Sequence, residues 1–329
     1  MLKPEGGTQS AVLRLRDFRL FLSVRFLSSV AMPMQSVAVG WQVYDITGDP
    51  LSLGLVGLAQ FLPMACLMLP AGDLADRYER RRILIVSYLV QAVCAAALLA
   101  LTLTAQTASS LLFGVLMLFG VARALAEPPL QSFAPLLVPQ AQFPSAVGWS
   151  SSANQAAIVI GPALGGALYI AGPEAVYGAC LAIFLAMVAA TAAIRVRGAR
   201  LAHEARESMF TRVLAGIAYI RANRIILGAI LLDLFAVLLG GATALLPVYA
   251  RDILYVGPEG LGLLRSAQAS GAVLMGLILA NMPLRRHAGM TMLCGVAAFG
   301  VATIVFGLSE SLMLSACALA CARAARGRG

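Results

Sequence analysis

Two charged side chains stand inside apolar stretches, Arg25 in LFLSVRFLSSV and Asp233 in AILLDLFAVLL. A charge in hydrocarbon is costly, so such a residue is a functional candidate by default. The pair can form an ion pair that opens as a proton binds, with Asp233 the group to take the proton. The alternative is that Arg25 snorkels to headgroups and Asp233 bonds locally. The uncharged polar residues Gln35, Gln42, Gln60, Asn154, Gln155 and Gln268 can line a substrate cavity, or they can bond one helix to another. Covalent chemistry is not expected. The six cysteines are scattered singly with no CxxC pair, and His203 and His287 lie in basic polar segments, so no metal site, disulfide framework or cofactor is implied. No nucleophile stands with its base and no carboxylates cluster, so there are no catalytic residues and an enzyme is not expected. A G-x-x-x-x-G-K-[ST] phosphate loop is also missing, which argues against drive by ATP within this chain.

The segments that carry these residues must be read against composition. Only 12% of residues are charged and 60% are hydrophobic. A soluble domain keeps roughly a quarter of its residues charged, so lipid is the expected solvent. The net charge of +9 comes without a basic stripe interleaved with aromatics, which make up 7% of the chain, so nucleic acid is not an expected partner. Residues 1–17 are polar, and the apolar stretch after them exceeds the roughly 7–15 residues of a cleavable signal, so it is read as a retained helix.

A helix needs about 20 apolar residues to cross a bilayer. Nine stretches qualify, near 19–43, 52–74, 83–104, 109–129, 146–170, 174–194, 225–249, 260–282 and 288–308. Lys and Arg stay on the cytoplasmic side. With the N-terminus inside, Lys3, Arg14, Arg16, Arg19, the Arg77–Arg82 group, seven Arg between 195 and 224, Arg285 and Arg286 are all cytoplasmic, and the opposite loops hold only Arg251. The expected organisation is a six-span bundle over 1–194, a basic cytoplasmic linker over 195–224, and a second bundle over 225–329.

That second bundle repeats the first. LGLVGLAQ at Leu53–Gln60 and LGLLRSAQ at Leu261–Gln268 share L-G-L-x-x-x-A-Q, 208 residues apart. RDFRLFL from Arg16 and RANRIIL from Arg221 share a pattern 205 apart, and the loops at Arg81 and Arg286 repeat at 205. Arg25 and Asp233 are themselves 208 apart, so they would meet if spans 1 and 7 face each other; an offset of 205 would misalign them. Six spans per unit imply a parallel repeat about an axis along the membrane normal. A tenth span begins near Leu312 but meets Arg323, Arg326 and Arg328, so the C-terminal bundle is expected to be truncated after about nine spans.

Span 5 carries AAIVIGPALGGAL, in which Ala157, Gly161 and Gly165 lie four apart on one helical face, a spacing that permits close helix approach, and Pro162 predicts a bend. Between spans 2 and 3 stands GDLADRYERRRIL, in a segment where seven of the eleven residues from Gly72 to Arg82 are charged. Gly72 can let the chain turn at a helix end, Asp76 can face a helix terminus or an Arg, and the Arg cluster holds the loop inside. A merely solvated loop is the alternative.

This loop resembles the signature of the major facilitator superfamily, G-x-L-A-D-R-x-G-R-R-x-x-L, at Gly72, Leu74, Ala75, Asp76, Arg77, Arg80, Arg81 and Leu84. Glu79 replaces the second Gly and leaves the turn geometry open. The resemblance implies a conformational latch made by Asp76, Arg77, Arg80 or Arg81. Glu127, at the predicted end of span 4, is either its partner carboxylate or an interfacial charge. The counterpart MPLRRHAGM keeps Arg but lacks the Asp, so a latch would be asymmetric. Gly161, Pro162, Gly165 and Gly166 resemble the superfamily's antiporter motif. FRLFLSVRFLSSV, VAVGWQVYDITGDPLSLGLVGLAQFLP, ALAEPPLQSFAPLLVP and GATALLPVYARDIL are similar to the branch containing the enterobactin exporter and related multidrug efflux proteins, over residues 16 to about 319.

The expectation is therefore an all-α polytopic protein of the major facilitator fold, with two six-helix bundles. It would be a monomer in a bacterial cytoplasmic membrane with its N-terminus inside. Its function would be proton-coupled export of amphipathic small molecules or a siderophore by alternating access, its partners being the substrate, protons and lipid. A non-transporting remnant and an importer of the same superfamily stay open as alternatives.

Overall fold

In the computed structural model, residues 12–104, 109–195, 218–223, 227–228, 230–232, 234, 244–281 and 288–326 are described. They form helices and connecting turns, with no strand among them. The chain divides into two compact units, Met1–Leu201 and Ala202–Gly329.

The N-terminal unit holds six long helices: α1 (Arg16–Thr47), α2 (Pro50–Arg77), α3 (Arg80–Leu103), α4 (Ser109–Leu137), α5 (Phe143–Tyr169) and α6 (Pro173–Ala193). Their ends are set by local chemistry. Gly48 closes α1 in the left-handed conformation at φ 61°, its N–H donating to the Tyr44 carbonyl. The next residue, Asp49, caps α2, accepting from the Leu51 N–H at 3.0 Å with Pro50 in the first turn. A tight reversal results.

Five of these six helices, together with one in the second unit, are long and apolar enough to cross a membrane by length and composition; the polar SSSANQ run lowers α5. Helix α4 runs eight residues beyond the predicted end of span 4, continuing through Pro128, Pro129 and Pro135. The prediction stopped at Glu127-Pro-Pro because charge and proline read as a terminus, yet packed membrane helices tolerate proline when neighbours satisfy the freed groups.

Helix α1 packs chiefly on α5 and α6, α2 on α4, and α3 on both α4 and α6. Lipid tails are as apolar as the side chains, so such contacts are held by close fit and hydrogen bonds rather than by escape from water. Phe21 of α1 meets Phe133 of α4 edge-on at 6.1 Å, and Phe119 of α4 lies 6.0 Å from Phe184 of α6. Toward the extracytoplasmic end of the expected topology, the Tyr177 hydroxyl donates to Gln42 Oε1 at 2.6 Å and Gln42 Nε2 donates to Thr102 Oγ1 at 3.0 Å. That relay ties α6, α1 and α3.

The second unit contains a helical turn at Leu246–Val248, a π-helical turn at Tyr249–Ile253, and α7 (Pro258–Asn281), α8 (Ala288–Gly307) and α9 (Leu312–Arg326). Most of the predicted span 7 lies outside the described residues. Helices α7 and α8 both pack on α9. Tyr249 stacks on Phe306 with ring centroids 4.3 Å apart, and its hydroxyl sits 2.5 and 2.6 Å from the Phe306 and Ser309 carbonyls. The internal repeat is visible in one helix start: Pro258 begins α7 208 residues after Pro50 begins α2.

Candidate functional site

The charged segment between α2 and α3 is a short corner rather than a long loop. Gly72 lies inside α2, five residues before its end, and an added Cβ would meet nothing within 4 Å. It is not the turn residue expected from its place in the motif. The chain turns at Tyr78 (φ −110°, ψ 161°) and Glu79 (φ −62°, ψ 115°), both extended. Negative φ at Glu79 needs no glycine, which resolves the departure from the motif at that position.

The arginines of the corner have separate tasks. Arg77 pairs with Asp73 at 2.9 Å and Arg82 with Glu79 at 2.9 Å, both within one helical turn; the first pair and Arg82 are open to solvent, while the Glu79 side chain is 19% exposed. Arg80 is buried. Arg81 reaches across to the end of α6, its Nε donating to the Thr191 carbonyl at 3.2 Å and a terminal nitrogen to the Ala192 carbonyl. The Thr191 carbonyl also accepts from the Ile194 N–H at 3.3 Å, so Arg81 adds a second donor there, and a cation at this point meets the negative end of the helix dipole. Asp17 completes the arrangement by accepting from the Arg195 N–H at 3.1 Å. The starts of α1 and α3 and the end of α6 are thus fastened together. Asp76 lies in the last turn of α2, but its side chain, like the whole of Asp233, is outside the described residues.

Gly161 and Gly165 of α5 lie directly on α1. A Cβ at Gly161 would approach the Val30 carbonyl to 2.7 Å, and one at Gly165 the Met34 carbonyl to 2.8 Å. Pro162 and Gly166 are buried beside them. The motif forms a close helix seam, as its spacing predicts. Next to it, Ser29 Oγ donates to Asn154 Oδ1 at 2.6 Å. Gln155, Gln60 and Gln268 are half-buried, and Gln60 lies where Gly120 of α4 crosses α2, a Cβ there falling 2.5 Å from the Gln60 carbonyl. Gln35 is 2% exposed, and neither polar atom of its side chain has a partner among the described residues.

A second group was not foreseen as a unit. Ser87, Tyr88 and Gln91 are buried on α3, and the Ser87 and Tyr88 hydroxyls and both Gln91 side-chain atoms lack a hydrogen-bond partner among the described residues, as does Arg25 Nε. The charges of Glu127 and Arg25 both act on the Tyr88 hydroxyl. Glu127 is exposed and accepts from Gln131 Nε2 at 3.2 Å. The signal for this group was the spacing of Ser87, Tyr88 and Gln91 within one turn of an apolar span.

A family model described as "Transmembrane secretion effector" matches residues 7–326. Macrolide efflux protein A of Streptococcus pyogenes is 25% identical over 267 residues, covering 77% of this chain and 63% of that protein. The chain therefore spans just under two thirds of that relative's length. The enterobactin exporter EntS of Citrobacter koseri is 26% identical over 311 residues, covering 92% of this chain and 72% of the exporter. In three dimensions the chain is similar to a bacterial homolog of the human lysosomal transporter Spinster, in an inward-facing, unoccupied conformation. The TM-score is 0.67 at 17% identity, covering 99% of this chain and 74% of the homolog. That likeness shows the major facilitator fold expected from the sequence.

Proposed function

Because the chain belongs to the transmembrane secretion effector family of major facilitator transporters, we propose that it exports amphipathic small molecules or a siderophore in exchange for protons. The observation that carries this reading is the family match over residues 7–326, to which relatives named for macrolide efflux and enterobactin export add direction. An integral membrane protein of this fold works by presenting a midplane site to one side and then to the other as two bundles rock. The membrane is the bacterial cytoplasmic one, with the N-terminus inside and residues 195–224 as the basic linker between bundles.

Asp76, Arg77 and the Arg80–Arg81 pair act as a latch that holds one of the two states. Support comes from the eight matched positions of the motif and from the way Arg81 anchors the corner to α6, which gives the latch a rigid base. Arg25 and Asp233 form an ion pair between bundles that opens when Asp233 takes a proton, a reading that rests on their 208-residue offset. Gln35, Gln60, Asn154, Gln155 and Gln268 face the substrate path.

The test is drug accumulation in a pump-deficient host expressing the full chain. Cells should hold less of a labelled macrolide than control cells, and a protonophore should abolish the difference. Equal accumulation for a macrolide, a catecholate siderophore and a cationic dye would overturn the export reading. Within the same assay, Asp233→Asn should lose proton-dependent export; wild-type export by Asp233→Asn and by Asp233→Asn with Arg25→Gln would remove the ion pair from the mechanism.

A further inference from the structure

Arg25, Tyr88 and Glu127 come from three different helices but sit at one level. Arg25 is nine residues from the first residue of α1, Tyr88 eight from the first of α3, and Glu127 ten from the last of α4. At about 1.5 Å per residue, all three lie roughly 12–15 Å from the same end of the unit, within the span of the bundle rather than at its rim. Glu127 was expected at a helix end, and the extension of α4 to Leu137 moves it inward. A carboxylate at that depth is costly against lipid, so its exposed side chain belongs to a watered space inside the protein.

The buried side of this level is short of partners. Tyr88 and Gln91 are 0% exposed, and their polar atoms have no hydrogen-bond partner among the described residues. Buried polar groups in folded proteins are nearly always paired, with ordered water making up what protein atoms do not. Ser87 and Arg25 Nε add two more unmet groups to the same set. One unmatched atom could be a local defect, but several on adjacent turns describe a place for water.

We propose that Glu127, Tyr88 and Arg25 form a proton-binding site contained within the N-terminal unit, with Ser87 and Gln91 holding its waters. The inference rests on the reading of the protein as a proton-coupled exporter and adds a second proton-binding carboxylate, which shares Arg25 with Asp233. The exchange is Glu127 carboxylate plus hydronium giving the neutral acid plus water, and the reverse on the other side of the cycle. Arg25 stays charged throughout and is the fixed counter-charge. The Tyr88 hydroxyl stays neutral and connects to both through the waters held at this level.

The charged and titratable groups around Glu127 are accounted for helix by helix. On its own helix, Arg123 lies one turn away. Helix α1 contributes Arg25, with Arg16, Asp17 and Arg19 nearer its start and Asp45 near its far end; α3 contributes Tyr88, with Arg80, Arg81 and Arg82 at its start. Helix α2 carries Asp73, Asp76 and Arg77 in its last two turns, Arg77 already paired with Asp73, and α5 carries no charged residue.

The experiment compares two modes of transport by the full chain in proteoliposomes, with a radiolabelled macrolide as probe. One mode is accumulation driven by an imposed pH gradient, and the other is counterflow, substrate exchange that needs no net proton movement. Glu127→Gln and Tyr88→Phe should lose gradient-driven accumulation and keep counterflow, and Glu127→Asp should recover part of the gradient response. Retained counterflow shows that the variants fold and cycle. Loss of both modes in both variants would make these residues structural and overturn the site. Gradient-driven accumulation at wild-type level in Glu127→Gln would also overturn it, while leaving proton-coupled export standing. A wild-type protein indifferent to the gradient would overturn the export reading and the site with it.

Discussion

Arg81 donates to two carbonyls at the end of α6, whereas Arg82 beside it is exposed and pairs only with Glu79 three residues away. The motif treats them alike, but their surroundings do not. Removing Arg81 takes a charged donor away from two carbonyls at a helix end, and Arg81→Gln is expected to lower stability by about 1 kcal/mol. A local pair whose arginine is 81% exposed is screened by water and worth little, so Arg82→Gln should stay within about 0.5 kcal/mol of the parent. Thermal unfolding of the two variants in the same detergent checks the order, and equal losses would show that Arg81 does not act through α6. Tyr177→Phe leaves Gln42 Oε1 without its donor; interhelical hydrogen bonds of this kind contribute roughly 0.6 kcal/mol on average, so a small loss in the same assay is expected. At this scale the sequence was only partly legible. The matched motif named Arg81, but contact with α6 joins residues 110 apart, and no local spacing announces that. Gly72 misled for a related reason: a motif marks which residues recur together, not which of them carries the turn.

Helices were easier to read than residues. An apolar run of about 20 residues bounded by charges is sufficient to announce a span, because lipid forces the backbone to bond within itself. What hydropathy could not place was where helices outlast their apolar cores, as α4 does beyond Glu127. Small residues four apart did announce the α1–α5 seam, since only they let two backbones meet. This yields a matched pair of substitutions on one helix. Gly165→Leu would press a side chain against the Met34 backbone, and overpacking of this kind typically costs about 1–3 kcal/mol. Gly148→Ala, where nothing lies within 4 Å, should instead be neutral or stabilising by roughly 0.5–1 kcal/mol. Yield of folded protein by size-exclusion profile, followed by thermal unfolding, checks both. If Gly165→Leu behaves like Gly148→Ala, the seam is looser than the backbone distances indicate.

For the molecule as a whole, the repeat and the distribution of Arg make one combined statement about orientation. Helix α2 has 28 residues, about 42 Å at 1.5 Å per residue, which exceeds a hydrocarbon core of about 30 Å. Its two ends must therefore reach opposite sides. The start follows an acidic turn, Asp45 to Asp49, and the end carries Arg77 with Arg80, Arg81 and Arg82 just beyond. Basic residues stay cytoplasmic, so Leu51 is expected outside and Tyr78 inside. Both are well exposed, at 68% and 59%, and neither caps or pairs in a way a small side chain would disrupt. In a background with the six native cysteines replaced, Leu51→Cys should react with a membrane-impermeant maleimide in intact cells, and Tyr78→Cys only after permeabilisation. The reverse pattern would place the N-terminus outside and move the latch corner to the other face. The helix start that recurs 208 residues later carries the same argument to the second unit: α7 begins at Pro258 beside Glu259, and the segment that follows it contains Arg285 and Arg286. A parallel repeat requires those ends to share the sidedness of α2, so Glu259→Cys should label like Leu51→Cys; labelling only after permeabilisation would break the repeat, whatever the two sequences share.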